Sequence, residues 1–209
     1  MIRHLSTEAR RALTRGFTLI EVMMAIAIMT VGAGGIMSLQ QAATSANIQS
    51  HHMMMANEAT RVWLERLRRD GLRWGSNPTV APSVATTEYL VSAQSVVVGD
   101  YSAWEALVPS NTAESWAFDY RGFDTRSTAD WVYCTNVRFA WTVGQAALRT
   151  DVRTWWYRYS LSSRDDYVDM SAADCAGGDQ SDVDDMLTGA GPLRAVYATQ
   201  LIRAIEMPE

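Results

Sequence analysis

The apolar positions fall into three successive patterns along the chain, and each predicts a different element. Residues 17–39 form an apolar run of 23 residues interrupted by one charge, Glu21. As a helix rising about 1.5 Å per residue, the run covers about 34 Å, enough to cross a hydrocarbon core of about 30 Å. Secretory signals carry shorter apolar regions of roughly 7–15 residues and end at a small-residue cleavage site, so this run is expected to remain in a membrane.

Helical patterning continues past Leu39 and turns amphipathic between Met55 and Arg69. Ala56, Ala59, Trp63 and Leu67 share a stripe with Met55 and Val62 beside it, while Asn57, Arg61, Glu65 and Arg68 fall opposite. This half is expected to lie on a globular domain. Arg66, Arg68 and Arg69 crowd the last turn, where cations suit the helix dipole, and Gly71 reads as its C-terminal cap. The predicted helix runs from Phe17 to about Asp70, roughly 80 Å. Met53, Met54, Met55, His51 and His52 read as packing and spacing. Each of Gly32, Gly34 and Gly35 costs a helix about 0.5–1 kcal/mol relative to alanine, and the group reads either as a close helix contact in the membrane or as a stretch that loosens on assembly.

Beyond Gly75 the period changes from helical to alternating, between turns rich in Ser, Thr, Pro, Gly and Asp. Val96–Val98 is a candidate strand. Trp131, Tyr133, Val137, Phe139, Trp141 and Val143 share one face of a longer strand. A loop through Gly144 and Asp151 leads to a second run with Trp155, Tyr157, Tyr159 and Leu161 on one face, so the two read as a hairpin. Residues 194–204 fit a last strand or a short helix, and strand is preferred. The fold class is α+β: a long N-terminal helix packed on an antiparallel sheet, with the eight tryptophans mainly in the core.

Composition narrows the chemistry. All 18 basic residues are arginine, which removes Schiff-base lysine catalysis and the Walker A phosphate loop. His4, His51 and His52 are the only histidines, and they assemble neither a catalytic triad nor a metal site. No catalytic cluster, cofactor site or metal-ligand set is found, so an enzyme is not expected. The first sixteen residues carry Arg3, Arg10, Arg11 and Arg15 against Glu8, a local +3, which leaves −8 on the remainder. An acidic body argues against nucleic acid as the main partner, because phosphate binding needs a basic face.

Basic residues before the apolar run and an acidic body after it place the N-terminus in the cytoplasm and the body outside, which is the periplasm in a bacterium. Glu21 lies near the cytoplasmic edge of the run; at the centre of a membrane helix a carboxylate costs about 2.5–3.5 kcal/mol. It reads either as a side chain reaching back to the headgroups or as half of a buried ion pair.

The stretch Arg15-Gly16-Phe17-Thr18-Leu19-Ile20-Glu21-Val22 resembles the prepilin cleavage and methylation motif of type IV pilins. The resemblance implies that a prepilin peptidase cuts between Gly16 and Phe17 and methylates the new Phe17 amine, and that Glu21, fifth in the mature chain, is needed for assembly. The run from Val31 to Gln40 also resembles that of PilV-type minor pilins, without the proline that many major pilins carry in this region. The expected organisation is a leader at 1–16, a transmembrane and assembly helix at 17–39, an amphipathic half at 40–75 and a periplasmic β-rich domain at 76–209. Expected partners are other minor pilins, the major pilin, the peptidase and, before assembly, the inner membrane.

Cys134 and Cys175 are the only cysteines, and an even count in a periplasmic domain favours a disulfide. Closing a loop of that length contributes about 4 kcal/mol in the chain-entropy account. Asp174, Asp179, Asp182, Asp184 and Asp185 gather near the second cysteine, which raises calcium, although their spacing does not fit an EF-hand and a solvated acidic loop is the plainer reading. The leading expectation is a non-enzymatic minor pilin that helps prime assembly or sits at the filament tip. A minor pseudopilin of a type II secretion system shares the leader and Glu21, and a signal-anchored adhesin would keep the helix without peptidase processing.

Overall fold

The computed structural model describes residues 16–74, 83–143, 146–158, 175, 180–188 and 191–203. The chain divides into two compact units, Met1–Asn47 and Ile48–Glu209, each described on its own. Helix α1 is continuous over Leu19–Gly71.

In the first unit every described residue up to Ala46 is solvent-exposed, including Leu19, Ile20, Ile28, Met29, Val31 and Leu39. The helix passes unbroken through Gly32, Gly34 and Gly35, and a Cβ at any of the three would meet nothing within 4 Å. Its hydroxyls are satisfied internally: Thr30 donates to the carbonyls of Ile26 and Ala27, Ser38 to Gly35 and Thr44 to Gln40. Within the apolar run after Thr18, the Thr30 and Ser38 hydroxyls are thus not left as stranded donors.

In the second unit the rest of α1 packs on a four-stranded antiparallel sheet ordered β1-β2-β3-β4, with β1 at Ala117–Phe118, β2 at Tyr133–Val143, β3 at Ala147–Tyr157 and β4 at Leu193–Arg203. The stripe Ala56, Ala59, Trp63 and Leu67 is fully buried, while Asn57, Arg61, Glu65 and Arg68 face water. Small Ala56 and Ala59 let the helix approach the sheet; each large side chain such as Leu67 contributes roughly 1.5–3 kcal/mol by its burial. Hydroxyls stitch the layers together, with Thr60 on α1 2.7 Å from Thr154 on β3, and Thr154 3.0 Å from Thr135 on β2.

Several sequence expectations need correction. Val96–Val98 is not a strand: it follows a 3-10 helix at Leu90–Ser95 and enters a turn at Gly99, whose φ of +96° suits glycine, and Val97 and Val98 are exposed. Asp151 is not in the hairpin loop but in the middle of β3, opposite Arg138. Trp131 precedes β2, which begins at Tyr133, and is buried beside Trp116. Gly71 is no left-handed cap; it closes α1 where Ile202 leaves no space, since a Cβ there would stand 2.5 Å from Ile202 Cγ2. Met53 and Met54 are exposed rather than packed. Tyr159, Leu161, Gly144, Ala204 and the side chain of Val143 lie outside the described residues.

The segment between α1 and β2 is held by two charged residues from the end of the helix. Buried Arg66 pairs with Asp124 at 2.7 Å and Glu114 at 3.2 Å and donates to the Ser115 carbonyl. The Asp70 carboxylate accepts the backbone N–H groups of Glu88, Tyr89 and Leu90 at 2.7–3.0 Å, fixing the entry to the Leu90–Ser95 3-10 helix. Beyond β1, the same edge of β2 is continued by single bridges from Tyr101 to Ala140 and Glu105 to Val137.

The sheet face away from α1 carries a second cluster. The Arg138 guanidinium lies 4.5 Å from both the Tyr101 and Trp104 rings, and Arg153 lies 4.5 Å from Trp104. Asp151 accepts from Arg149, Arg138 and Thr199. Burial alone would raise its carboxyl, but the hydrogen bonds from Arg149, Thr199 and Arg138 outweigh that and hold it below the ordinary carboxylate value. Arg153, fully buried, pairs with Asp184 of α2, a short helix at Gln180–Leu187. A disulfide joins Cys134 of β2 to Cys175, with Cα atoms 5.4 Å apart.

Candidate functional site

Gly16 and Phe17 are exposed and lie outside any regular element ahead of α1, and Thr18 takes its N-cap position. The Thr18 carbonyl accepts from Glu21 N–H at 3.1 Å and Val22 N–H at 3.2 Å, and its hydroxyl oxygen stands 3.4 Å from the Glu21 nitrogen. Threonine at the cap with glutamate three residues on is the pattern of a capping box. Glu21 therefore sits in the first turn, where a carboxylate faces the positive end of the helix dipole. Beside headgroup contact and ion pairing, the spacing of Thr18 and Glu21 carries this helix-start pattern.

The arrangement presents, in order, a flexible-backbone glycine, an aromatic residue, a helix cap and one carboxylate one turn from the helix start. Among the described residues, α1 is the one helix long and apolar enough to cross a membrane. In the uncut chain the Phe17 nitrogen is an amide and carries no charge. Cutting the Gly16–Phe17 bond would create a cation, the Phe17 amine, four residues before Glu21.

The acidic cluster near the disulfide is divided. Asp184 serves Arg153; Asp174, Asp179 and the side chain of Asp182 lie outside the described residues. Among the described residues no three His, Cys, Asp or Glu side chains converge as a metal site. His52 shares a 2.8 Å hydrogen bond with the Tyr133 hydroxyl, and burial, reinforced by the charge of His51, lowers its pKa from the ordinary value.

Residues 11–37 match the family model described as the prokaryotic N-terminal methylation motif. No curated protein and no solved structure matches the chain. The match covers the cap, Glu21 and the glycines, and supports a type IV pilin-like or pseudopilin-like subunit processed by a prepilin peptidase.

Proposed function

We propose that the chain is a non-enzymatic minor pilin of a type IV filament, of the PilV type, cut between Gly16 and Phe17. The observation that carries this reading is the match at 11–37, which takes in nearly all of the exposed apolar run 17–39 whose one charge is Glu21 in the first turn of α1. Cleavage creates the Phe17 amine, which the peptidase methylates without removing its capacity for positive charge. The membrane helix then waits in the inner membrane with its disulfide-bonded domain in the periplasm.

When such helices leave lipid and pack together, the amine and the carboxylate are both stranded among apolar side chains. Each then needs a partner, since leaving one member of a buried pair alone costs about 3–5 kcal/mol. Pairing between neighbouring subunits sets their axial register. The chain joins other minor pilins and the major pilin to prime assembly or to occupy the tip.

Mass spectrometry of the mature protein tests the processing step, with the chain expected to begin at methylated Phe17. A mature chain starting elsewhere would overturn it. Deleting the gene and scoring surface filaments, twitching and protein secretion side by side tests the assignment: loss of filaments with secretion intact supports a pilin, and the reverse supports a pseudopilin.

A further inference from the structure

Strand β4 ends the sheet. It pairs with β3 through eleven consecutive positions, from Ala147 opposite Arg203 to Tyr157 opposite Leu193, without a register slip. Among the described residues nothing pairs with its other side. About half of the backbone N–H and C=O groups of an edge strand point away from its neighbour and form a template for another chain. Two of the usual defences are missing here, because Leu193–Arg203 contains neither proline nor a bulge.

Arginines outnumber acids beside this edge, where Glu65 stands near Arg68. The strand carries Arg194 and Arg203 and no acid. Alongside it runs a groove of about 360 Å³ lined by Arg68, Gly71, Leu72, Leu201 and Arg203. The Arg68 side chain is 73% exposed, held only by a loose contact to Glu65 at 3.9 Å. Tyr197 and Leu201 offer exposed apolar surface on the face away from α1.

We infer that the free edge of β4 binds an extended acidic segment of a partner protein by strand addition. Backbone groups supply the ladder, while alternate side chains of the added strand meet Arg203, Leu201 and Tyr197 on one face and Arg68 with Leu72 on the other. A second copy fits poorly: its own β4 contains no acid, and paired antiparallel over the full length it sets Leu193 against Arg203, so it offers neither Arg203 nor Arg68 a carboxylate. This surface does not depend on the filament reading.

The test uses the full-length protein in detergent micelles and a fluorescein-labelled nine-residue peptide that alternates Glu with Val. Two controls are the same peptide with Lys for Glu, and the acidic peptide methylated at every internal amide nitrogen. The acidic peptide is expected to bind and to slow hydrogen exchange in β4, whereas both controls fail. The double variant Arg68→Glu, Arg203→Glu, altered at two exposed positions, should lose about tenfold or more in affinity for the acidic peptide and gain binding to the lysine peptide. Equal binding of the methylated peptide, or no response to the charge reversal, would overturn strand addition. Self-association that disappears in Arg203→Glu, with no peptide bound, would overturn the partner in favour of a second copy.

Discussion

The hydroxyl of Thr60 lies 2.7 Å from that of Thr154, with both side chains buried between the helix and the sheet. Thr60 has one proton and also stands 2.7 Å from the Ala56 carbonyl, so the order that satisfies every group runs Thr135 to Thr154 to Thr60 to Ala56. Thr154→Val should break this chain at its middle and cost about 1–3 kcal/mol in urea unfolding, while Thr154→Ser should cost less. A larger loss in Thr154→Ser than in Thr154→Val would show that the methyl group, not the hydroxyl, matters.

Arg66 has a nearly buried side chain, with Glu114 and Asp124 about one fifth exposed. Arg66→Met keeps the stem but strands two carboxylates that retain some water. The loss should be roughly 2–4 kcal/mol, at or below the range for a fully buried pair. Limited proteolysis should show earlier cutting between residues 83 and 130 than in the parent chain.

The helix-start position of Glu21 and the ion pair proposed for it are separable. Thr18→Ala removes only the cap and should fray the first turn by about 1 kcal/mol. Glu21→Gln keeps a capping-box side chain but removes the charge, so insertion and cleavage should persist while recovery in sheared filaments falls relative to the membrane fraction. If Thr18→Ala reduces recovery as much as Glu21→Gln does, the cap and not the charge is what assembly requires.

His52 makes stability depend on pH. Its folded pKa is lowered, so the unfolded chain takes up the proton first as pH falls. The contribution is fully present above about 6.5 and is lost as pH falls through that value towards the folded pKa. The melting temperature should therefore drop between pH 7.5 and 5.5 more in the parent than in His52→Gln; parallel curves would remove His52 as the cause.

Gly71→Ala should destabilise by about 1–3 kcal/mol, because the added methyl must displace Ile202. Pairing it with Ile202→Ala should recover part of the loss, measured as a double-mutant cycle in denaturant.

Period alone made much of the fold legible. The 3.6-residue stripe through Trp63 and the alternation through Tyr133 and Trp155 name buried residues directly, because one face of each element is solvent-free. Residues 193–203 form a strand, as preferred. Period could not place Arg66 or Asp70: their partners stand 18 to 58 residues away in irregular chain, so a buried cation looked like one more arginine suited to a helix end. Val96–Val98 shows the converse, since β-branched residues make no strand without a neighbour to pair with. The N-terminal segment was more legible because its residues act through local spacing.

The bond between Cys134 and Cys175 also decides how the domain bears a pull. A load entering through α1 and leaving beyond β4 reaches two points on either side of a covalently closed stretch. The 41-residue separation, at roughly 3.4 Å per extended residue, holds back about 140 Å of chain from stretching. Under tension β4, like the stretch between α1 and Cys134, can peel while most of β2 and all of β3 stay inside the closed loop, so the central hairpin is spared from yielding.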